Sequence, residues 1–425
     1  MRIGMVLLGA LALADVARAQ NAAALDDLFE AADRGEIAAV AAAARTAPDD
    51  DVRTLLAARL AAARDDLGPA RPDALRRLAA EGNDPALRRA ALSVLSTDAF
   101  ARGDYAEAER VTLLLEPLVA ATGDTEELAE LQRLRGVAAL LAGQPATRVE
   151  GTIAAGSAAA RYDRVGLPRI DLAVNGQTQE AVFDTGAALS VLSAETARRL
   201  GVTVLDAETE VGNGVQGTVP VRVGIADRLD IAGTTLRNVA FLVIDDAQLS
   251  FPQVPGGYDI KAILGLPEMR MLGRLRMEEA GRLAVLPGPG AGGDANMTIA
   301  GNAMYVDTEM GGRPVPLLLD TGANRSGLSA LFAEANPAVI ASLATAQTRQ
   351  ASAGGSREQQ VATWRDVPVA VGGRTLTLAE VSIALPGQGP RPRSYGQLGS
   401  SLLRRFASYT LDFTAMRLEL GAPLN

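Results

Sequence analysis

The spacing of apolar positions divides the chain into a helical part and a β-rich part. From about residue 22 to residue 143, Ala, Leu, Arg and Glu recur at helical spacing, and glycine or proline interrupts the pattern repeatedly. This predicts short helical hairpins. From about residue 147 onward, short apolar runs alternate with turn residues, which predicts β-strands. The expected fold is therefore multidomain, an all-α module followed by a mostly-β region.

The β-rich region carries one pattern twice. Asp-Thr-Gly-Ala ends an apolar run at residues 184–187 and again at 320–323. A turn pair stands at the same distance before each aspartate, Asn175-Gly176 in the first copy and Gly311-Gly312 in the second. Each copy therefore predicts a strand, a tight turn and a second strand that delivers a carboxylate to a loop. A lone Asp-Thr-Gly would indicate an ordinary surface turn, but two in matching segments do not.

The two copies stay in register further along the chain. A step to glycine occurs at Ile263-Leu264-Gly265 and at Gln397-Leu398-Gly399. A helical turn and a closing hairpin are predicted after each step, at residues 269–286 and 402–420. A unit of this length repeated twice predicts two homologous lobes facing each other and not a solenoid.

These elements, in this order, resemble the aspartic peptidases. Ala after Asp-Thr-Gly is more similar to the retropepsin branch than to the pepsin branch, and the resemblance extends from about residue 147 onward. The resemblance implies two β-barrel lobes with a cleft between them and flap hairpins that close over an extended peptide. It also implies one catalytic aspartate from each lobe, Asp184 and Asp320. Gln397, which is polar where the first copy has Ile263, departs from the pattern.

Composition restricts the available chemistry to the same groups. The chain has no His and no Cys, which excludes Ser-His-Asp and Cys-His systems and zinc sites built on those residues. Lys261, the only lysine, has no setting that suggests a Ser-Lys dyad. Two carboxylates held close together share a proton, so the pair can act as general base and general acid on a bound water. No metal or organic cofactor is expected.

The resemblance gives supporting roles to the residues after each aspartate. They are Thr185, Gly186 and Ala187 in the first copy and Thr321, Gly322 and Ala323 in the second. The threonines would brace the two loops, and the glycines would let backbone amides approach the carboxylates. The alanines lack the hydroxyl that pepsin-like enzymes place there, so we expect a less acidic optimum.

Two glycine-rich segments are candidate flap tips. In the first copy these are Gly212, Asn213 and Gly214, and in the second Gly354 and Gly355. Glycine-rich tips between strand-like segments are typical of mobile hairpins. A plain surface hairpin is the alternative interpretation of the second segment.

The N-terminus predicts export. Residues 1–19 contain Arg2, an apolar stretch and Ala17-Arg18-Ala19, which indicates a signal peptide cleaved before Gln20. An uncleaved anchor is the alternative. We expect a bacterial periplasmic or secreted protein without a membrane span after cleavage. The net charge of −9 without a basic cluster argues against nucleic-acid binding.

The predicted domains are a signal peptide (1–19), an α-helical repeat-like domain (20–145), lobe 1 (146–286), a glycine- and proline-rich linker (287–298) and lobe 2 (299–425). The helical region resembles tetratricopeptide repeats at Arg102-Gly103-Asp104-Tyr105. Three roles for it stay open. It could fold against the peptidase, dock a protein partner or substrate, or act as a removable inhibitory pro-region.

The sequence thus predicts an exported aspartic endopeptidase that acts on peptides or proteins. A catalytically silent peptide-binding or scaffold protein of the same fold is the alternative. A glycosidase with a carboxylate pair ranks third, because Trp364 is the only Trp available to stack on a sugar.

Overall fold

The computed structural model describes residues 24–68, 71–80, 82–212, 217–290, 292–352, 355–387 and 392–424. The predicted signal peptide lies outside the described residues, so export stays a prediction. Among the helices of the described ranges, none is long and apolar enough to cross a membrane.

The N-terminal part is all α. We call helices α1–α7 the helical module. They are α1 (24–33), α2 (Ile37–Thr46), α3 (Asp50–Ala63), α4 (Arg71–Leu78), α5 (Pro85–Ala101), α6 (Tyr105–Ala120) and α7 (Thr125–Leu141). An aspartate caps four of these helices and accepts hydrogen bonds from first-turn amides, which would otherwise lack partners. The capping residues are Asp49, Asp84, Asp104 and Asp124.

Lobe 1 follows as a mostly-β unit. Its strands are β1 (Arg148–Val149), β2 (Gly156–Tyr162), β3 (Pro168–Val174), β4 (Gln177–Phe183), β5 (Ser190–Ser193), β6 (Thr203–Gly212), β7 (Thr218–Ile231), β8 (Thr234–Ile244), β9 (Ala262–Leu264), β10 (Arg274–Glu278) and β11 (Arg282–Val285). Its short helices are α8 (Ala194–Arg199) and α9 (Leu266–Leu272), and a 3-10 turn covers Asp246–Leu249.

Lobe 2 repeats the plan with shorter first strands. Its strands are β12 (Met297–Ala300), β13 (Ala303–Val306), β14 (Thr308–Met310), β15 (Arg313–Pro314), β16 (Leu317–Asp320), β17 (Gly327–Leu328), β18 (Ala344–Ser352), β19 (Gly355–Val371), β20 (Arg374–Ala384), β21 (Gly396–Gly399), β22 (Ser408–Asp412) and β23 (Arg417–Leu420). The helices are α10 (Ala330–Ala335), α11 (Pro337–Ile340) and α12 (Ser400–Leu403). β12 begins inside the predicted linker.

The architecture confirms the predicted fold class, a helical module followed by a mostly-β region with barrel-like sheets. The predicted turn pairs form the hairpins, since Asn175 and Gly176 have φ values of 50° and 78°, and Gly311 and Gly312 have 57° and 76°. Positive φ at both central residues is the geometry that a two-residue hairpin turn of this hand requires.

In each lobe the strand before the aspartate pairs in parallel with the strand of the glycine step. β4 lies beside β9 with Val182 opposite Ile263, and β16 lies beside β21 with Leu318 opposite Gln397. A third strand pairs antiparallel on the far side, β5 in lobe 1 and β17 in lobe 2. The same three-strand arrangement therefore holds both aspartate loops.

One sheet joins the two lobes. The C-terminal hairpin of β22 and β23 pairs through β22 with β10 of lobe 1, with Leu275 opposite Leu411. A single apolar core runs through both lobes. It includes Phe183 and Leu319, which directly precede Asp184 and Asp320. The last hairpin of lobe 1 (β10 and β11) and the last hairpin of lobe 2 (β22 and β23) thus hold the two lobes together.

Candidate active site

Each aspartate is anchored by the glycine-step strand of its own lobe. The amide of Asp184 donates to the carbonyl of Leu264 on β9 at 3.0 Å. Asp320 ends β16 opposite Gly399 of β21. Behind the loops, the amides of Leu266 and Ser400 donate to the carbonyls of Ala187 and Ala323 at 2.9 and 2.8 Å. The structure therefore clamps the backbone on both sides of each Asp-Thr-Gly-Ala segment.

The two threonines connect the lobes reciprocally beneath the aspartates. The Thr185 amide donates to Thr321 Oγ1 at 3.0 Å, and the Thr321 amide donates to Thr185 Oγ1 at 3.1 Å. Each hydroxyl also donates to a carbonyl of the opposite lobe at 2.6 Å, Thr185 to Leu319 and Thr321 to Phe183. Both threonines are fully buried. Each hydroxyl is thus satisfied as acceptor and donor across the interface between the lobes.

The two glycines are required by the close approach of the carboxylates. A Cβ added to Gly186 would lie 2.9 Å from the Asp320 carboxyl group, and one added to Gly322 would overlap the Asp184 carboxyl group. Any side chain at either position would push the aspartates out of place. The predicted role of glycine at these two positions therefore has a direct steric reason.

The structure brings Asp184 and Asp320 within hydrogen-bonding reach of each other. Burial raises the pKa of both carboxyl groups above their usual range, and at Asp320 the negative charge of Asp184 adds to the rise. Backbone amides oppose the rise, because Gly186 donates to Asp184 Oδ1 at 2.8 Å and Ala323 donates to Asp320 Oδ1 at 2.9 Å. The pair can thus hold one proton between two carboxyl groups near neutral pH.

A buried carboxyl group behind the first loop was missed by the sequence reasoning. Ser190 Oγ accepts the Gly265 amide at 2.9 Å and donates to Glu268 Oε2 at 2.6 Å. Burial raises the pKa of Glu268 to about 7. In lobe 2, Ser326 accepts the Gly399 amide in the same way at 3.0 Å. Ser190 and Ser326 stand at the same distance after their aspartates, but nothing in the local sequence marked Glu268 as buried.

The candidate flap residues are described only in part. Gly212 ends β6, where it pairs with Thr218 in the hairpin of β6 and β7, and Gly355 begins β19 opposite Ser352 of β18. Asn213, Gly214 and Gly354 lie outside the described residues. Gly212 and Gly355 therefore stand at the ends of long antiparallel strand pairs, and the role of the two segments as flaps stays a prediction.

A comparison with protein families gives a match within the first lobe. Residues 170–267 match the family model described as Aspartyl protease. The match begins in β3, includes Asp184 and ends in α9, so the matched region covers the loop and the glycine step of lobe 1. This part of the chain is similar to aspartyl proteases. No curated protein matches the chain. In the described ranges, no group of three or more acidic side chains is arranged to hold a metal ion.

Proposed function

We propose that the chain is an exported aspartic endopeptidase whose catalytic dyad is Asp184 and Asp320. The observation that carries this proposal is the paired carboxyl groups, held together by the reciprocal hydrogen bonds of Thr185 and Thr321. A protease family domain in lobe 1 supports the same chemistry. The substrate is a peptide or protein, and the predicted signal peptide would send the protein to the periplasm or the exterior of a bacterium.

The reaction uses the shared proton of the pair. The ionised carboxyl group takes a proton from a water molecule as the water attacks the peptide carbonyl, and the protonated carboxyl group donates to the carbonyl oxygen. When the tetrahedral intermediate collapses, the C–N bond breaks and the leaving nitrogen receives a proton from the dyad. The water therefore ends as the new carboxyl hydroxyl and the amine proton. This route needs no metal and no organic cofactor.

The dyad is tested by removing one carboxylate at a time. Asp184→Asn and Asp320→Asn should each lower peptide hydrolysis by at least about 100-fold, because each removes a positioned proton-transfer group while keeping the side-chain shape. Hydrolysis is measured by mass spectrometry on a peptide library across pH 4–8, with protein that lacks residues 1–19.

Asp171→Asn is the matched control, since Asp171 is an exposed residue of β3 in the same lobe. It should keep wild-type activity. Near-normal turnover in either dyad variant would refute the two-carboxylate mechanism. Peptide binding without hydrolysis in the wild type would favour the silent scaffold instead.

A further inference from the structure

The face of the lobe 1 sheet that bears Asp184 is apolar. Val182 stands two residues before Asp184, so both side chains lie on the same face, whereas Phe183 enters the lobe core on the other face. Ile263 pairs with Val182, Val191 pairs with Ile263, and Leu242 pairs with Val191. These four aliphatic residues thus lie side by side on adjacent strands next to the dyad, and we call them the lobe 1 patch.

The helical module and this patch bury apolar side chains in the same cluster. The patch and helices α5–α7 belong to one buried apolar cluster, separate from the core of the two lobes. The module contributes Ala99, Phe100, Ala108, Val137, Ala138 and Leu141 to the cluster. Ala99 and Ala138 are 0% and 1% exposed. The four residues of the lobe 1 patch are at most 8% exposed, so the patch beside Asp184 is buried in a cluster to which the module contributes.

The module also holds a strand of the first flap hairpin. α7 approaches β6 so closely that a Cβ on Gly136 would overlap Thr209 Oγ1. Such a Cβ would lie 3.5 Å from Thr209 Cβ. Nearer the end of β6, the Arg133 side chain lies close to Gly212. A hairpin that closes over substrate must move relative to the dyad, and this helix restrains it.

Polar contacts attach the module to both lobes. Arg270 of α9 donates to the Ala101 carbonyl at 3.0 Å and pairs with Asp65. The module reaches lobe 2 at Arg64, which donates to the Met297 carbonyl, and at Gly35, where an added Cβ would lie 2.9 Å from the Tyr305 ring. Glu130 also pairs with Arg393, but both side chains are about half exposed, so this pair contributes little to stability. The apolar cluster attaches the module to lobe 1.

We propose that, in the resting chain, the helical module occupies the surface of lobe 1 that receives apolar side chains of the peptide substrate. The module must separate from β6 and the lobe 1 patch before substrate binds. This inference rests on the proposed peptidase function, because it assigns the patch to the same cleft. It selects the inhibitory role among those that the sequence left open for the helical region, and it names aliphatic or aromatic residues as the preferred substrate side chains next to Asp184.

A reversible cross-link between α7 and β6 tests the inference in the full chain. The chain has no cysteine, so Gly136→Cys combined with Thr209→Cys provides one defined pair. The 3.5 Å separation of the β carbons lies in the range that a disulfide requires.

The oxidised protein should hydrolyse peptides at least 10-fold more slowly than the reduced protein. In the reduced protein, cleavage sites should be enriched in apolar residues on one side of the broken bond. Each single-cysteine variant controls for the substitution and should not respond to reductant.

Each outcome separates the inference from the proposed function. Equal hydrolysis by the oxidised and reduced forms overturns the inference and leaves the peptidase standing, as does enrichment of charged residues at the cleavage sites. If neither form hydrolyses peptides, binding of a statine-containing peptide decides. Binding only after reduction supports the inference while the catalytic proposal fails, and equal or absent binding in both forms overturns the inference.

A second variant covers the case in which the cysteine pair does not fold. Gly136→Val forces α7 away from β6 without reducing helix propensity, because Val is a better helix former than Gly. It should raise hydrolysis above the wild type at least 3-fold. Ala139→Val is the matched control, since Ala139 lies on the exposed side of the same helix. Unchanged or lower activity in Gly136→Val, with Ala139→Val at the wild-type level, would contradict the proposal.

Discussion

The two lobes share one chain path but present different surfaces beside their aspartates. The strand positions that carry the lobe 1 patch, Val182, Ile263, Val191 and Leu242, correspond in lobe 2 to Leu318, Gln397, Gly327 and Ser382. Three of the four lobe 2 residues are polar or lack a side chain. None of the four belongs to a buried apolar cluster, and Ser382 is exposed. The helical module contributes to the cluster that buries the apolar surface, whereas the lobe 2 positions are partly buried or exposed.

The Thr-Gly loops beside the aspartates are alike in the two lobes, whereas the surfaces further from them differ. At the dyad, the Thr-Gly loops must be nearly symmetric, because two carboxyl groups can share a proton only when both are held at close range. Away from the dyad, no such constraint acts on the two lobes. Lobe 1 has gained an apolar surface with an internal occupant, whereas lobe 2 presents polar atoms to its side of the cleft. Symmetry at the centre and asymmetry at the flanks are expected when one duplicated unit both reacts and discriminates.

Loss of either interlobe threonine hydroxyl should lower the free energy of unfolding by a similar amount, and this is the largest stability effect we expect. Thr185→Val and Thr321→Val each remove a hydroxyl that makes two buried hydrogen bonds across the lobes. Each change leaves an amide and a carbonyl without partners, so the free energy of unfolding should fall by about 2–4 kcal/mol. Denaturant unfolding of the two variants measures the loss.

Thr298→Val is the control for the threonine variants. Thr298 is buried in β12, and within the described residues its hydroxyl has no hydrogen-bond partner. Its replacement should leave stability unchanged or slightly higher. If one brace variant lost several kcal/mol and the other almost none, the two loops would not support each other reciprocally.

The symmetric features were accessible to sequence reasoning because they are local. The Asn175-Gly176 and Gly311-Gly312 turns and the position of Asp at a strand end follow from short-range patterns with a fixed spacing. Thr185 and Thr321 were assigned as braces because the family resemblance supplied the partner. The structure adds the four hydrogen bonds and the steric reason for glycine.

The asymmetric features depend on contacts between distant segments, which local patterns do not specify. The pairing of β22 with β10 joins residues 130 or more positions apart, for example Leu275 and Leu411. One signal for the covered patch was nevertheless present. Residues 240–244, Ala-Phe-Leu-Val-Ile, form an unbroken apolar run that is buried throughout, whereas Val381, Ser382 and Ile383 near the end of β20 alternate. An unbroken run indicates a strand buried on both faces, so it is a signal for a cover on lobe 1 that does not identify the covering segment.

A second asymmetry is a buried carboxyl group that follows the glycine step in lobe 1 and has no counterpart at that position in lobe 2. Glu268 stands three residues after Gly265, and the corresponding position after Gly399 is Leu402. Glu268 is 2% exposed, and burial raises its pKa from 4.5 to about 7. Because the folded protein binds this proton more tightly than the unfolded chain, its stabilising effect is complete below about pH 4.5. The effect is lost as pH rises through about 7.

Removing this charge should flatten the dependence of stability on pH. A difference of about 2.5 pKa units corresponds to about 3 kcal/mol, so this is the part of the wild-type loss between pH 4.5 and pH 8 that we assign to Glu268. Glu268→Gln keeps a partner for Ser190 and should show a correspondingly smaller loss. Unfolding free energies at the two pH values measure it.

The variant and the wild type are compared with each other, because the raised pKa values of the dyad act in the same direction in both proteins. Asp171→Asn, which changes an exposed carboxylate, should leave the pH dependence as it is in the wild type. An identical slope for wild type and Glu268→Gln would show that Glu268 is already ionised or reaches solvent in the folded protein.

The smallest expected effect returns to the dyad and to the alanine that follows each glycine. Ala187→Ser or Ala323→Ser would place a hydroxyl donor beside a carboxyl group whose pKa is raised by burial. A donor stabilises the ionised form, so the apparent pKa of the pair should fall and the activity profile should move toward acid. One hydrogen bond to a charged group contributes about 1.5–3 kcal/mol at most, so the shift should be about one pH unit. Because the dyad belongs to both lobes, the two variants should shift the profile by similar amounts. The test is the pH dependence of kcat/KM for the wild type and both variants, each with correct folding verified. A shift toward alkaline pH, or a shift in one variant only, would show that the alanines do not set the working pH through the shared pair.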